Sequence, residues 1–128
     1  MEKVRNMLIV YTFGSFVYSL IEIFSRGFTH WTMIISGGAV FVIIYLLSTK
    51  IGSSYYSLQI ITYALLITAS EFIIGLFLNK LLKMNIWDYS SKPHNILGQI
   101  CLFNSLLWVL LAFPCTFACK FFRKMFKN

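Results

Sequence analysis

Four long apolar runs dominate the chain, and three polar joints separate them. The runs cover residues 6–24, 31–48, 55–78 and 96–117. A helix that crosses a bilayer needs about 20 mostly apolar residues, so each run predicts one transmembrane helix. None of the runs shows the strict alternation of barrel strands. The pattern predicts an all-α integral membrane protein, a single transmembrane domain whose four helices form two hairpins.

The polar joints differ in length. The first two, at residues 25–30 and 49–54, predict tight turns between the helices of each hairpin. The third, at residues 79–95, is longer and mixes lysines with leucines and aromatic side chains. Such a mixture is typical of segments that lie in the headgroup region. We therefore expect a short interfacial segment between helices three and four, with Trp87 and Tyr89 at headgroup level.

Composition narrows the class of protein. Hydrophobic residues make up 59% of the 128 residues and charged residues only 12%, against about 25% charged in a soluble domain. This balance excludes a soluble enzyme, a secreted disulfide scaffold and a disordered tail. The three cysteines fall in or at the end of the last apolar run and are expected to be packing residues. No pair of nucleophile and base stands at catalytic spacing, so we do not expect an enzyme.

The basic residues indicate a membrane partner and an orientation. The net charge of +7 comes from 11 basic and 4 acidic residues, and the basic ones stand at the ends of apolar runs. This placement favours anionic lipid headgroups over nucleic acid. Seven basic residues fall on the side of the two termini and four on the other. The positive-inside rule then predicts a multi-pass protein of the cell (plasma or inner) membrane with both termini in the cytoplasm.

Three acidic residues are candidates for chemistry. Glu22 and Glu71 lie within predicted helices one and three, and Asp88 lies in the third joint. A carboxylate near the bilayer centre costs about 3 kcal/mol, so it is retained where it faces a partner, a cavity or a proton path. With this topology all three belong to the outward side. The predicted acidic and polar pocket for substrate or ion consists of Glu22, Glu71, Tyr18, Arg26, Thr68, Asp88, Asn95 and Gln99.

Each acidic residue also has a purely structural interpretation. Glu22 and Arg26 are spaced i and i+4 and are able to form an ion pair at the end of helix one. Glu71 is open to interpretation as a buried, hydrogen-bonded packing group, and Asp88 as a turn or cap residue. The sequence does not decide between these interpretations and the pocket.

Two histidines, His30 and His94, stand in outer joints. A histidine pair is able to bind haem or a transition metal, but single loop histidines are usually solvated. We expect no cofactor, and a haem-binding or membrane-embedded enzyme function is the weakest of the hypotheses.

Several short segments together resemble one known family. They are Tyr18–Glu22, Arg26–Phe28, Thr68–Glu71 with Gly75 and Asn79, Trp87–Ser90, Asn95 with Gly98–Cys101, and Trp108. In this order they resemble the CmpB-like, ABC-transporter type IV family of small bacterial membrane proteins. The resemblance implies a permease-like role. Because the sequence contains no GxxxxGK[ST] motif, an ATP-driven cycle would need a separate subunit.

Two functions follow as hypotheses. The first is a transporter or permease component with an outward-side acidic pocket, in which Glu71 and Glu22 bind a cation or proton. Four helices make a thin wall for a transport path, so a homo-oligomer or a partner membrane subunit is expected. The second is a non-transporting membrane sensor, regulator or assembly subunit, in which the polar stripe holds a partner helix.

Overall fold

The computed structural model describes residues 2–27, 30–51 and 55–126, with the side chains of residues 25 and 26 excepted. Four α-helices account for most of these residues. The elements in chain order are α1 (Glu2–Arg26), α2 (Trp31–Ile51), α3 (Tyr56–Gly75), a π-helical segment (Leu76–Leu81), β1 (Asn95–Ile96), β2 (Ile100–Cys101) and α4 (Leu102–Phe126). The two predicted tight turns lie partly outside the described residues.

The helices have the length and composition of membrane spans. Among the described residues, four helical stretches are long and apolar enough to cross a bilayer: Glu2–Phe24, Trp31–Ile51, Tyr56–Leu81 and Leu102–Phe126. The prediction of an all-α membrane protein with four transmembrane helices is confirmed. Most large apolar side chains on these helices are exposed on the protein surface, as a lipid environment permits.

The chain forms two compact units. The first comprises Met1–Ser54 with Ala118–Asn128, and the second comprises Tyr55–Phe117. Helix α4 therefore contributes its first part to the second unit and its end to the first. The interpretation of the chain as a single domain stays a prediction.

Close packing of α1 against α2 holds the first unit together. A Cβ atom at Gly14 would lie 2.5 Å from the Cβ atom of Phe41, so only glycine allows this approach. Two hydroxyl groups of α1 also reach the backbone of α2. Tyr11 donates a hydrogen bond of 3.0 Å to the carbonyl of Ile35, and Ser15 one of 2.9 Å to the carbonyl of Ile34. Small residues and cross-helix hydrogen bonds are the usual means of association in lipid.

The replacement Gly14→Ala is expected to destabilise this hairpin by about 1–3 kcal/mol, because Phe41 cannot yield at Cβ without a shift of the α2 backbone. Thermal unfolding in detergent measures the effect. The control is Ala39→Val, which adds more volume at an exposed position of α2. Equal melting temperatures for the two variants would refute the packing argument.

The end of α4 packs on the same hairpin. The ring of Phe122 lies edge-on to Phe13 and Tyr45, with centroid distances of 5.1 and 6.4 Å. Arg123 donates a hydrogen bond of 3.4 Å to the carbonyl of Ser48. Aromatic contacts and one backbone contact thus fix the last turns of α4 within the first unit.

In the second unit the chain reverses direction after α3. A π-helical segment, Leu76–Leu81, follows α3. Beyond its end the amide of Met84 still donates to the carbonyl of Leu78, over 2.9 Å. Lys83 and Asn85 then take positive φ angles of 55° and 50°. These left-handed residues turn the chain back toward α3, so the third joint does not continue away from the helix.

The predicted start of helix four is wrong. The stretch from Asn95 to Cys101 forms a β-hairpin, with Asn95 paired to Cys101, and α4 begins only at Leu102. The third joint, or simply the joint, therefore covers residues 79–101. Both central residues of the turn have positive φ, 54° at Leu97 and 73° at Gly98. Positive φ at both positions is the requirement of a type I′ turn, and glycine meets it readily. At its C-terminal end, α4 extends past the predicted end at residue 117 and reaches Phe126.

Candidate functional site

Glu71 is the centre of a hydrogen-bonded cluster in the second unit. Its Oε2 atom accepts a hydrogen bond of 3.1 Å from the Tyr89 hydroxyl, and its Oε1 atom accepts one of 3.2 Å from the indole N–H of Trp108. The side-chain amide of Asn104 donates to the Tyr89 hydroxyl over 2.7 Å. We call Glu71, Tyr89, Asn104 and Trp108 the Glu71 cluster. Residues from α3, the joint and α4 therefore meet at one carboxylate.

The cluster has a defined direction of hydrogen bonding. A tyrosine hydroxyl carries one hydrogen, and in this geometry the Asn104 amide occupies its acceptor side. The hydroxyl hydrogen of Tyr89 is therefore available to Glu71. Because the indole of Trp108 also only donates, both carboxylate oxygens act as acceptors. Both of these contacts of Glu71 therefore use the carboxyl oxygens as acceptors.

The joint reaches Glu71 because it runs back along one face of α3. Residues four apart on a helix lie near the same face, and three such positions, two on α3 and one on the π-helical segment that continues it, contact residues 86–89 of the joint. The contacts pair Asn79 with Ile86, Gly75 with Trp87, and Glu71 with Tyr89. The returning chain thus covers the end of α3 and places the Tyr89 hydroxyl beside a carboxylate of the apolar span.

Gln99 holds the joint in this position. Its side-chain oxygen accepts a hydrogen bond of 2.9 Å from Asn79, and its side-chain nitrogen donates to the carbonyl of Leu97 over 2.9 Å. The carbonyl of Gln99 itself accepts from the indole of Trp87 over 2.9 Å. Gln99 and Asn79 are both buried, so each of these bonds replaces water that the two amides cannot reach. Gln99 belongs to the scaffold beneath the joint.

Asp88 and Asn95 shape the loop. The Oδ1 atom of Asp88 accepts a hydrogen bond of 2.9 Å from the amide of Ser90, which lowers the pKa of this exposed carboxyl. Asn95 donates to the carbonyl of Lys92 over 2.7 Å and accepts from the amide of Gly98 over 3.0 Å. Both residues therefore make the short-range contacts typical of turn residues.

Glu22 belongs to the first unit, where it is 7% exposed. The Tyr18 hydroxyl donates to its Oε1 atom over 2.8 Å. The side chain of Arg26 lies outside the described part of the chain, so the Glu22–Arg26 ion pair stays a prediction. Because Glu22 and Glu71 belong to different units, their common pocket also stays a prediction. Thr68 lies on α3 one turn before Glu71 and is half-buried.

The two histidines lie in different parts of the chain, His30 just before α2 and His94 in the joint. His30 precedes α2, its Nδ1 atom accepts the amide hydrogen of Thr32 over 3.3 Å, and its carbonyl accepts from Met33 over 2.9 Å. These are the contacts of a helix N-cap. His94 is exposed in the joint, with a positive φ of 57°. Within the described ranges, no group of three or more His, Cys, Asp or Glu residues is placed to hold a metal ion.

Sequence reasoning missed part of the site. Trp87 is 8% exposed and its indole bonds within the protein, so its side chain packs inside the chain, and its level relative to the headgroups stays a prediction. Tyr89 is half-buried and points to Glu71. Asn104 was not a candidate, and Trp108 stood only among the positions of the family resemblance, although a polar amide and an indole N–H at spacing i and i+4 in an apolar helix are a usable signal.

Burial and the neighbouring Glu71 carboxylate raise the pKa of Tyr89 above its ordinary value of 10.0. A raised pKa means that the folded protein prefers the neutral hydroxyl. The stabilisation is complete below pH 10 and is lost as the pH rises through the higher folded value. We expect stability to fall in this alkaline range, and to fall less for Tyr89→Phe. Chemical unfolding at several alkaline pH values measures this, and identical losses for both proteins would contradict it.

Within the described residues, four helices long and apolar enough to cross a bilayer, together with a joint folded over the end of one of them, are the features of a multi-pass membrane protein. The chain belongs to the family described as "Putative ABC-transporter type IV", whose model matches residues 7–128. The family resemblance stated from the sequence is thereby confirmed. No curated protein and no solved structure matches the chain.

Proposed function

We propose that this protein is a membrane component of a transport system, in which Glu71 takes up and releases a proton or small cation. The observation that carries the proposal is the convergence of Tyr89 and Trp108 on a carboxylate within an apolar span. An acidic side chain is costly in such a span and is typically kept for ion or proton pathways. The description of the family points in the same direction.

The depth of Glu71 supports this role. Gly75 packs against Gln99, which stands three residues before the first residue of α4. The level of Gly75 is therefore close to the beginning of the α4 span. Glu71 lies one turn further along α3, about 6 Å deeper. A carboxylate at this depth is within reach of the joint and still lies below the start of the apolar layer.

The Tyr89 hydroxyl supplies a connection between the joint and this carboxylate. A positioned hydroxyl next to a carboxylate is able to exchange hydrogen-bond partners when the carboxylate gains a proton or a cation. In the proposed cycle the joint, through Tyr89, responds to the state of Glu71. A second copy of the chain or another membrane subunit completes the wall of the path, and an ATPase subunit would supply the energy of an ATP-driven cycle.

Proton flux into proteoliposomes tests the proposal. Liposomes with the wild-type protein and a trapped pH-sensitive dye receive a potassium diffusion potential through valinomycin. We expect the internal pH to change faster than in protein-free liposomes prepared in the same way. Equal rates at every pH tested would contradict proton transport by the purified chain.

A non-transporting assembly or regulatory subunit is the second candidate. The observation that favours it is that several polar side chains of the joint bind other groups of the joint. Gln99, Asn95 and Asp88 each form a hydrogen bond to a neighbouring backbone or side-chain group. A fixed scaffold of this kind suits presentation of a surface to a partner. This function predicts a stoichiometric partner after purification in mild detergent, together with no flux.

A further inference from the structure

The tip of the β-hairpin has an unusual combination of conformation and exposure. Leu97 takes a φ of +54°, a left-handed conformation that non-glycine residues seldom adopt. Asn and Asp tolerate this conformation because their side chains bond to the local backbone, but leucine has no polar group to do so. The backbone cost at Leu97 therefore needs compensation from contacts of its side chain.

The described chain does not supply those contacts. Leu97 is 60% exposed, and its neighbour Ile96 is 54% exposed. Two adjacent apolar side chains thus project from the tip of a tight turn. Burial of these side chains in an apolar environment outside the chain would offset the unfavourable backbone conformation.

The position of the hairpin indicates what that environment is. The hairpin leads directly into Leu102, the first residue of the α4 span. Leu102 and Phe103 are themselves 51% and 63% exposed, as expected for side chains that face lipid. The tip is consequently close to the level at which the apolar layer begins.

The exposed basic side chains of the joint fit lipid headgroups, and the Asp88 carboxylate lies beside Gly98 on the inner side of the turn, where a Cβ atom would be 3.0 Å from its Oδ1 atom. The ammonium group of Lys92 lies 6.0 Å from the ring centroid of Phe103, and Lys92 is exposed. Lys80 and Lys83, at the other end of the joint, are exposed as well. Basic residues next to projecting apolar side chains are typical of segments that bind the surface of anionic membranes.

We propose that Ile96 and Leu97 anchor the joint by insertion into the headgroup boundary of the bilayer, with Lys92 against anionic phospholipid headgroups. This role is separate from the one expected for Trp87. It also has a consequence for the site, because the carbonyl of Gly98 accepts the amide hydrogen of Tyr89 over 2.8 Å. The anchored tip holds the backbone of Tyr89. The proposal does not depend on the proposed transport function.

Site-specific photocrosslinking in nanodiscs tests this anchor. A diazirine amino acid is placed at Leu97 in one protein and at Ser91, an exposed polar position of the same joint, in the control. The nanodiscs contain equal parts of phosphatidylcholine and phosphatidylglycerol. Mass spectrometry after illumination is expected to find several-fold more phospholipid adduct at Leu97 than at Ser91. Equal adducts at both positions, or a protein crosslink in place of lipid at Leu97, would overturn the proposal.

Depth-dependent fluorescence quenching is a second measurement of the same anchor. It serves if the diazirine amino acid at position 97 disturbs the turn. The variants Leu97→Cys and Ser91→Cys, each labelled with an environment-sensitive dye, are compared in nanodiscs that contain nitroxide lipids. Cys101 and Cys119 are buried, and both proteins also carry Cys115→Ala. Shallow nitroxides are expected to quench the dye at position 97 more strongly than that at 91. Protection of position 97 from both nitroxide lipid and aqueous iodide would indicate a protein partner and overturn the anchor.

Discussion

Glu71→Gln is expected to reduce proton flux to the level of protein-free liposomes while the protein still inserts and folds. Glutamine has nearly the same size but carries no exchangeable carboxyl proton. Its amide group also sets a donor against Tyr89 or Trp108, which are both donors in the cluster. Flux measured with the trapped dye, beside circular dichroism of the purified variant, separates loss of function from loss of fold.

Two control variants sharpen this test. Asp88→Asn keeps an acceptor for the Ser90 amide and changes a carboxylate outside the spans, so its flux should equal that of the wild type. Glu71→Asp keeps an exchangeable carboxyl group at a shorter reach and should retain part of the flux. Flux in Glu71→Gln equal to the wild type would exclude Glu71 as the transporting group.

Gly75→Val is expected to cause the largest loss of stability in the second unit. A Cβ atom at this position would lie 2.6 Å from the side-chain oxygen of Gln99 and 2.9 Å from an atom of the Trp87 ring. Neither group is able to move away without loss of buried hydrogen bonds, since Asn79 binds that oxygen and the Trp87 indole binds the Gln99 carbonyl. Overpacking together with broken buried bonds amounts to about 3 kcal/mol or more.

The expected structural result of Gly75→Val is separation of the joint from α3. Hydrogen exchange should then increase across residues 86–101, and the melting temperature should fall. Ala69→Val provides the matched control, because it adds two methyl groups at an exposed position of the same helix. If Gly75→Val had the same melting temperature and the same hydrogen-exchange protection as the control, the close packing of Gly75 against Gln99 and Trp87 would not contribute to stability.

The helices were predictable because a bilayer imposes one requirement on each of them. Every span needs a long apolar run, and the runs are visible in the sequence without any knowledge of contacts. The exact start of α4 was not predictable from hydropathy, since Ile96, Ile100 and Cys101 are as apolar as the helix that follows. Turn chemistry at Asn95 and Gly98 decides this boundary, and it acts against the hydropathy pattern.

The site was predictable in part for a related reason. Glu71 was recognisable because a carboxylate in an apolar run is conspicuous by itself. Its partners were not recognisable, because Tyr89 and Trp108 are 18 and 37 residues away and reach Glu71 only after the joint folds back. That reversal depends on positive φ at Lys83 and Asn85, residues whose types do not require it.

The central claim is that Tyr89 couples the joint to Glu71, and a double-mutant cycle tests it most directly. The free energy of unfolding is measured for the wild type, Glu71→Gln, Tyr89→Phe and the double variant in the same mixed micelles. We predict a coupling of about 1–2 kcal/mol between the two positions, since Tyr89→Phe removes the hydrogen bond and Glu71→Gln removes the carboxylate charge that strengthens it. Strictly additive losses, with no coupling, would contradict the account.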